Sequence, residues 1–276
     1  MFFEYASDMK LHYDIRGDGT PVLLIHGLGC DMNLMIDAFE PIFTNETRNY
    51  KRIYVDLPGM GESSKTLTYA SSDKILTILE KFVDKIIGKE HFLLVGQSFG
   101  GYLSRGLLAH YRFQVNGLTL LCPVIIPTSA DRDLPQQYLS FADEKYLKTF
   151  DQKLAKLIKE NLIIANKQTI ERQQKEVLSG LAKADQQFLK ALQKDYTFST
   201  NVDEVIAAMN YDKPSLILTG HQDTRVGYKD QWKLFELFPR ATFTVLDVAD
   251  HSLQIEEPTV FNVLVKNWLN RLVKFA

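Results

Sequence analysis

Three side chains in this sequence have the types needed for nucleophilic attack on a carbonyl group: Ser98, Asp223 and His251. A serine hydroxyl is a poor nucleophile at neutral pH. It needs a base within hydrogen-bond reach, and an imidazole base needs a carboxylate to hold its tautomer and stabilise the imidazolium. Ser98 lies in Gly96-Gln97-Ser98-Phe99-Gly100, a G-x-S-x-G pattern whose glycines permit a strained strand-to-helix turn. The flanks favour that turn. Phe92-Leu93-Leu94-Val95 is a continuous apolar run, suited to a strand covered on both faces. Leu103, Leu107, Leu108 and Tyr111 then recur at a helical period. Asp223 follows the run "SLILT" by four residues, and His251 follows "FTVL" by five. Both therefore fall just past strands, where ligands gather in an open parallel sheet.

The elements that must position these groups are legible. "MKLHYDIRG" reads as a strand, Gly17-Asp18-Gly19 as a turn, and residues 22–25 as a buried strand. A strand around 53–55 leads into a Pro/Gly loop. Residues 72–87 form an amphipathic helix on Ile75, Leu79, Phe82 and Ile86. "VNGLTLLCPV", "KPSLILTGHQD" and "ATFTVLDVADHS" are further strand-then-loop units, and a helix over 258–273 closes the chain. Strands alternating with helices predict an α/β fold, with a mostly parallel central sheet flanked by helices. Between 126 and 209 no strand is expected. Leu154, Ile158, Leu162 and Ala165 recur at helical spacing, as do Leu181, Ala184, Phe188, Ala191 and Leu192. This predicts a helical insertion, 126–209, within a core made of 1–125 and 210–276.

The motifs "HGLG" (26–29), "DLPGMGES" (56–63), "GQSFGG" (96–101), "GHQDTRV" (220–226) and "DH" (250–251) occur in order, each at a strand end. With them the chain resembles the α/β-hydrolase fold over nearly its whole length, including the chain order Ser…Asp…His. The resemblance implies that 126–209 is the family's variable cap. It also implies an oxyanion hole made by the backbone N–H groups of Leu28 and Phe99. His26 would brace its loop, and Asp56 its turns. The loop departs from the lipase-type "HGGG", so a large-lipid or tertiary-alcohol substrate is not supported. A serine at the elbow, where dehalogenases and epoxide hydrolases of this fold carry aspartate, leaves acyl chemistry. The expectation is a serine hydrolase of a small ester. Thioester or C–C hydrolysis and a prolyl-type aminopeptidase are alternatives, the last relying on Asp131, Asp133, Asp143 and Glu144 to grip an amine. A ligand-binding receptor with a silent triad is the rival from another class.

The remaining composition sets bounds. In 276 residues, 45% apolar, 32 basic groups nearly balance 34 acidic ones, so nothing calls for nucleic acid or an anionic membrane. Glu4 and Asp8 stand where a signal peptide needs a basic start and an apolar stretch, and no run reaches a membrane span. The expected setting is the cytoplasm. Cys30 and Cys122 make no disulfide framework or metal spacing, Cys122 reading as a small core residue, and neither metal nor organic cofactor is implied. His12, His91 and His110 read as ordinary strand or surface residues and His221 as solvent-facing. Asp250, beside His251, should point elsewhere. Phe141, Tyr146, Phe150, Phe188 and Tyr196 stand as pocket lining or insertion core, with core the safer assignment.

Overall fold

The computed structural model describes residues 1–46, 48–138 and 140–274. Its apolar runs become strands: β1 (Phe2–Ala6), β2 (Met9–Arg16), β3 (Thr20–Ile25), β4 (Tyr50–Val55), β5 (Phe92–Gln97), β6 (Val115–Leu121), the two-residue β7 (Phe141–Ala142) and β8 (Ile164–Ala165), β9 (Ser215–Gly220) and β10 (Ala241–Leu246). Eight form one sheet in the order β1-β2-β4-β3-β5-β6-β9-β10. The pairs from β4 to β10 are parallel, and β1 and β2 are antiparallel additions at one edge. Every residue of β5 and β9 is buried, as strands covered on both faces require.

Register then does the positioning. Ile25 pairs with Val55 and Gly96, Gln97 with Leu121, Leu121 with Leu218, and Gly220 with Leu246. The carboxyl ends of β3, β5, β6, β9 and β10 are therefore level, and the loops that follow them share one edge. The chain order reverses between β3 and β5, the switch point where such sheets open a crevice. Helices cover both faces. In Ser72–Ile86 the side chains of Ile75, Ile78, Leu79, Phe82 and Val83 are buried, and Pro258–Lys274 buries Phe261, Val265, Trp268 and Leu269. The helix Met32–Phe43, capped by Asp31, escaped the sequence reading although Leu34, Met35, Ala38, Phe39 and Ile42 recur at a helical period; the proline at 41 lies inside it.

The stretch 126–209 differs from its expected pattern in two ways. It contains a ribbon, β7 paired with β8, too short to show a period of two. Its helical runs are also shorter than expected. Helix Gln152–Lys159 stops before Leu162, and Ala165 lies in β8. Ser179–Lys183 and Gln186–Lys194 are separate helices because Asp185 caps the second through Phe188 N at 2.8 Å. Leu147, Ile158, Leu162, Ala165 and Ile170 make a small core of their own with Ile255. Phe188 instead joins the main core and lies against Gly59. Asp185 N donates to Gly59 O at 2.9 Å, and Lys183 Nζ pairs with Asp31 at 2.9 Å. Among the described residues, no helix is long and apolar enough to cross a membrane.

Candidate active site

Ser98 sits where β5 breaks into the helix Phe99–His110, at φ 54° and ψ −116°. Positive φ in a residue with a side chain is strain that the surroundings must impose. Here they do so through close approach: a Cβ on Gly100 would stand 2.2 Å from Ile25 O, and one on Gly96 2.4 Å from Gly100 O. Only glycine fits either place. The hydroxyl does not cap the helix it precedes, which leaves Oγ free to face the cavity. Phe99 N–H begins that helix, one of the donors left without an intrahelical partner, at the positive end of the dipole.

Asp223 has no solvent exposure and holds His251 Nδ1 at 2.9 Å through Oδ2. Its other oxygen accepts from Arg225 N at 2.9 Å and Val226 N at 3.0 Å. Burial alone would raise its pKa, but the His251 ring and the main-chain donors outweigh it and hold the carboxyl below its ordinary value. With Nδ1–H directed at Asp223, the lone pair is on Nε2. Among the described residues no hydrogen bond links that nitrogen to Ser98 Oγ; Gln97 Nε2 stands 3.4 Å from it. A hydrogen bond between the two would need His251 or Ser98 to be re-aimed.

Asp250 does point elsewhere. It accepts from Thr224 N at 3.3 Å, and burial pushes it up to about 6. Glu256, pushed up to about 7 chiefly by burial, accepts from Asp250 N at 2.7 Å, from Ile164 N at 3.3 Å and from Ile163 N. It therefore ties the His251 loop to the 126–209 stretch. Cys122 is buried as expected, yet its place beside Asp223 and His251 was not read. Its φ is 42°, and its sulfur and one ligand atom from each of those two residues lie within 4.8 Å of one another. Burial and the nearby carboxylates push its thiol well up, so it packs there as a neutral S–H.

The other histidines follow expectation. His26 accepts from Leu57 N at 3.0 Å and contacts Gly27 O at 2.8 Å, which braces one loop on the other, and burial lowers its pKa. His12 meets Asp56 at 2.8 Å, and Asp56 also accepts from Met32 N and Glu62 N. His91 and His110 are exposed, and His221 is partly so.

Ser98 and His251 open on a cavity of about 640 Å³, within the range of small-molecule sites. Leu28 lines it from the core side. Val177, Leu181 and Tyr196 do so from the 126–209 stretch. Of the aromatic residues singled out in the sequence, Tyr196 alone reaches this cavity. Phe188 is core, Tyr146 and Phe150 pack on the smaller core, and Phe141 is exposed. The four acids expected to grip an amine are spent outside it: Asp133 pairs with Lys229, Glu144 with Lys159, Asp143 caps Tyr146 N, and Asp131 is exposed. Arg132, Arg225, Asn161 and Gln173 line the cavity instead. Sequence reasoning missed them because no spacing relates them; Gln173, Val177 and Leu181 alone, at intervals of four, carried a signal.

Residues 20–258 match the family model for the alpha/beta hydrolase fold. A solved alpha/beta superfamily hydrolase from Oenococcus oeni PSU-1 is 30% identical, covers 99% of each chain and superposes with a TM-score of 0.88. An esterase from Exiguobacterium antarcticum, 17% identical with 98% of each chain covered and a TM-score of 0.75, shares the fold. A 2-hydroxy-6-oxononadienedioate/2-hydroxy-6-oxononatrienedioate hydrolase of Paraburkholderia phymatum is 24% identical over 97% of this chain and 93% of its own. The level strand ends, the glycine-enforced turn at Ser98 and these likenesses agree: the chain belongs to the α/β-hydrolase fold family.

Proposed function

We propose that the protein hydrolyses small carboxylic esters through an acyl-enzyme on Ser98, with His251 as base and Asp223 as its orienting acid. The observation that carries this reading is the serine's setting. Its hydroxyl is uncommitted, stands on an enforced turn, and shares a cavity with an imidazole whose far nitrogen is held by a buried carboxylate. His251 takes the proton from Ser98 as Oγ attacks the carbonyl carbon. The backbone N–H groups of Leu28 and Phe99 receive the oxyanion. His251 then protonates the leaving alcohol and activates the water that releases the acid. Residues 126–209 serve as a cap, supplying much of the cavity wall. C–C bond hydrolysis is a second reading, favoured by the likeness to the Paraburkholderia oxononadienedioate hydrolase.

Ser98→Ala tests the nucleophile. Turnover of p-nitrophenyl butyrate and labelling by a fluorophosphonate should both vanish while the melting temperature holds. Full labelling of that variant would place the nucleophile elsewhere. A parent protein that is not labelled would favour a receptor.

A further inference from the structure

The cavity wall carries two arginines that form no direct ion pair among the described residues, although the Asp250 carboxylate lies within electrostatic reach of Arg225. Arg132 is half-buried, and its guanidinium is held by main-chain carbonyls: Nε by Ile126 O at 2.8 Å, Nη1 by Arg225 O at 2.7 Å, and Nη2 by Pro127 O at 3.0 Å. Arg225 donates to the Asn161 side-chain oxygen, another neutral acceptor. Among the described residues neither arginine has a carboxylate within ion-pair distance. Both nevertheless line the cavity that holds Ser98 and His251. The one acid on that wall, Asp195, adjoins Lys194, which is also on it.

Fixing a guanidinium by neutral groups orients its planar fork without cancelling its charge, an arrangement matched to an incoming carboxylate. The same wall also carries an unpaired buried amide. Gln173, 1% exposed, is on the cavity wall, and its side-chain oxygen has no partner in the protein. That oxygen only accepts, so a substrate hydroxyl or amide N–H would satisfy it, whereas a carboxylate would not.

We propose that the substrate bears a carboxylate of its own, as in the half-ester of a short dicarboxylic acid, and that Arg132 and Arg225 bind it. This rests on the hydrolase reading above and names the substrate class of the same site. The arginines stand on two different loops, one leading from β6 into the 126–209 stretch and one following Asp223, and the Arg132–Arg225 hydrogen bond joins them. A carboxylate received there bridges both and holds the scissile ester toward Ser98. The acid group contributes to recognition and takes no part in bond making.

The test compares the p-nitrophenyl half-ester of glutaric acid with its methyl ester, nearly the same shape without the charge. The wild-type protein should prefer the acid by about 10- to 100-fold in kcat/KM, the scale of a charge-assisted hydrogen bond. The preference should collapse at least tenfold in Arg225→Gln and in Arg132→Gln. Because Arg132 also braces its loop, Arg132→Lys, which keeps charge but loses the fork, is read beside it and should retain only part of the preference. A wild-type ratio at or below one overturns the proposal. Methyl-ester turnover and fluorophosphonate labelling report the hydrolase reading separately. Should both be absent, calorimetric titration with glutarate and with inorganic phosphate decides the anion site without turnover. Saturable glutarate binding that is lost in Arg225→Gln supports the proposal. No glutarate binding, or tighter phosphate binding, refutes it.

Discussion

The sheet edge around Ser98 and the helical stretch 126–209 face each other across one cavity and are built on different principles. At the edge, main chain meets main chain. Gly96 and Gly100 allow contacts that no Cβ would tolerate, the strand ends are level through paired backbone, and β5 is wholly buried. In the helical stretch, side chains do the holding: Asp185 caps a helix, Lys183 reaches Asp31, and a small core of five residues leans on Ile255. Gly96 and Gly100 admit no larger side chain, and in the helical stretch the same limit falls on Gly180, where a Cβ would stand 2.7 Å from Asp31 N. Substitutions at Val177 or Leu181 can therefore change the cavity wall without touching the turn at Ser98.

The largest expected effect lies on the sheet edge. Asp223→Asn should lower kcat by about 10⁴-fold by favouring the wrong imidazole tautomer. Asp250→Asn, one position from His251 but turned to Thr224, should cost less than about tenfold on the same chemistry. Steady-state kinetics on both decide it, and reversed losses would reassign the acid.

Next comes Gly100→Ala. A Cβ 2.2 Å from Ile25 O and 2.6 Å from His26 O forces two loops apart, at a cost of roughly 1–3 kcal/mol or more. Thermal melting should fall by several degrees. An unchanged melting temperature would mean that the edge is softer than its contacts imply.

Across the cavity, Val177→Ala and Leu181→Ala should act on fit. KM and the preferred acyl length should shift a few-fold with kcat nearly held, as for contacts made equally in ground and transition states. Leu181 is 38% exposed, so its loss should leave the fold stable. Stable variants that keep the parent's chain-length profile would remove the helical stretch as the specificity element.

The smallest effect sits at the seam. Glu256 is raised from 4.5 to about 7 and Asp250 from 3.8 to about 6, each mainly by burial. Both hold protons more tightly when folded. Their contribution to stability is complete below the unfolded values and is lost as pH rises through about 6 and 7. Asp223, lowered in the folded state, acts in the opposite sense and loses its contribution as pH falls through its folded value. Urea denaturation between pH 5 and 8 should show stability declining over this window, with a shallower decline in Glu256→Gln. A slope unaffected by that substitution would exclude Glu256 as its source.

The sequence by itself determined the strands, the turn at Ser98 and the position of Asp223 and His251 past their strands. Each depends on a local cause: an apolar run that must be covered, or a glycine where backbone passes backbone. The short ribbon of β7 and β8 and the break at Asp185 lay below that level, because two residues show no period and a cap competes with a continuing helix. Only the tertiary structure decided the wall of the cavity. Arg132 and Arg225 lie 93 positions apart and meet through a hydrogen bond. Phe188, apolar and at helical spacing, went to the core, while polar Gln173 reached the cavity. Burial of a side chain against distant chain is a property of packing, and no local pattern carries it.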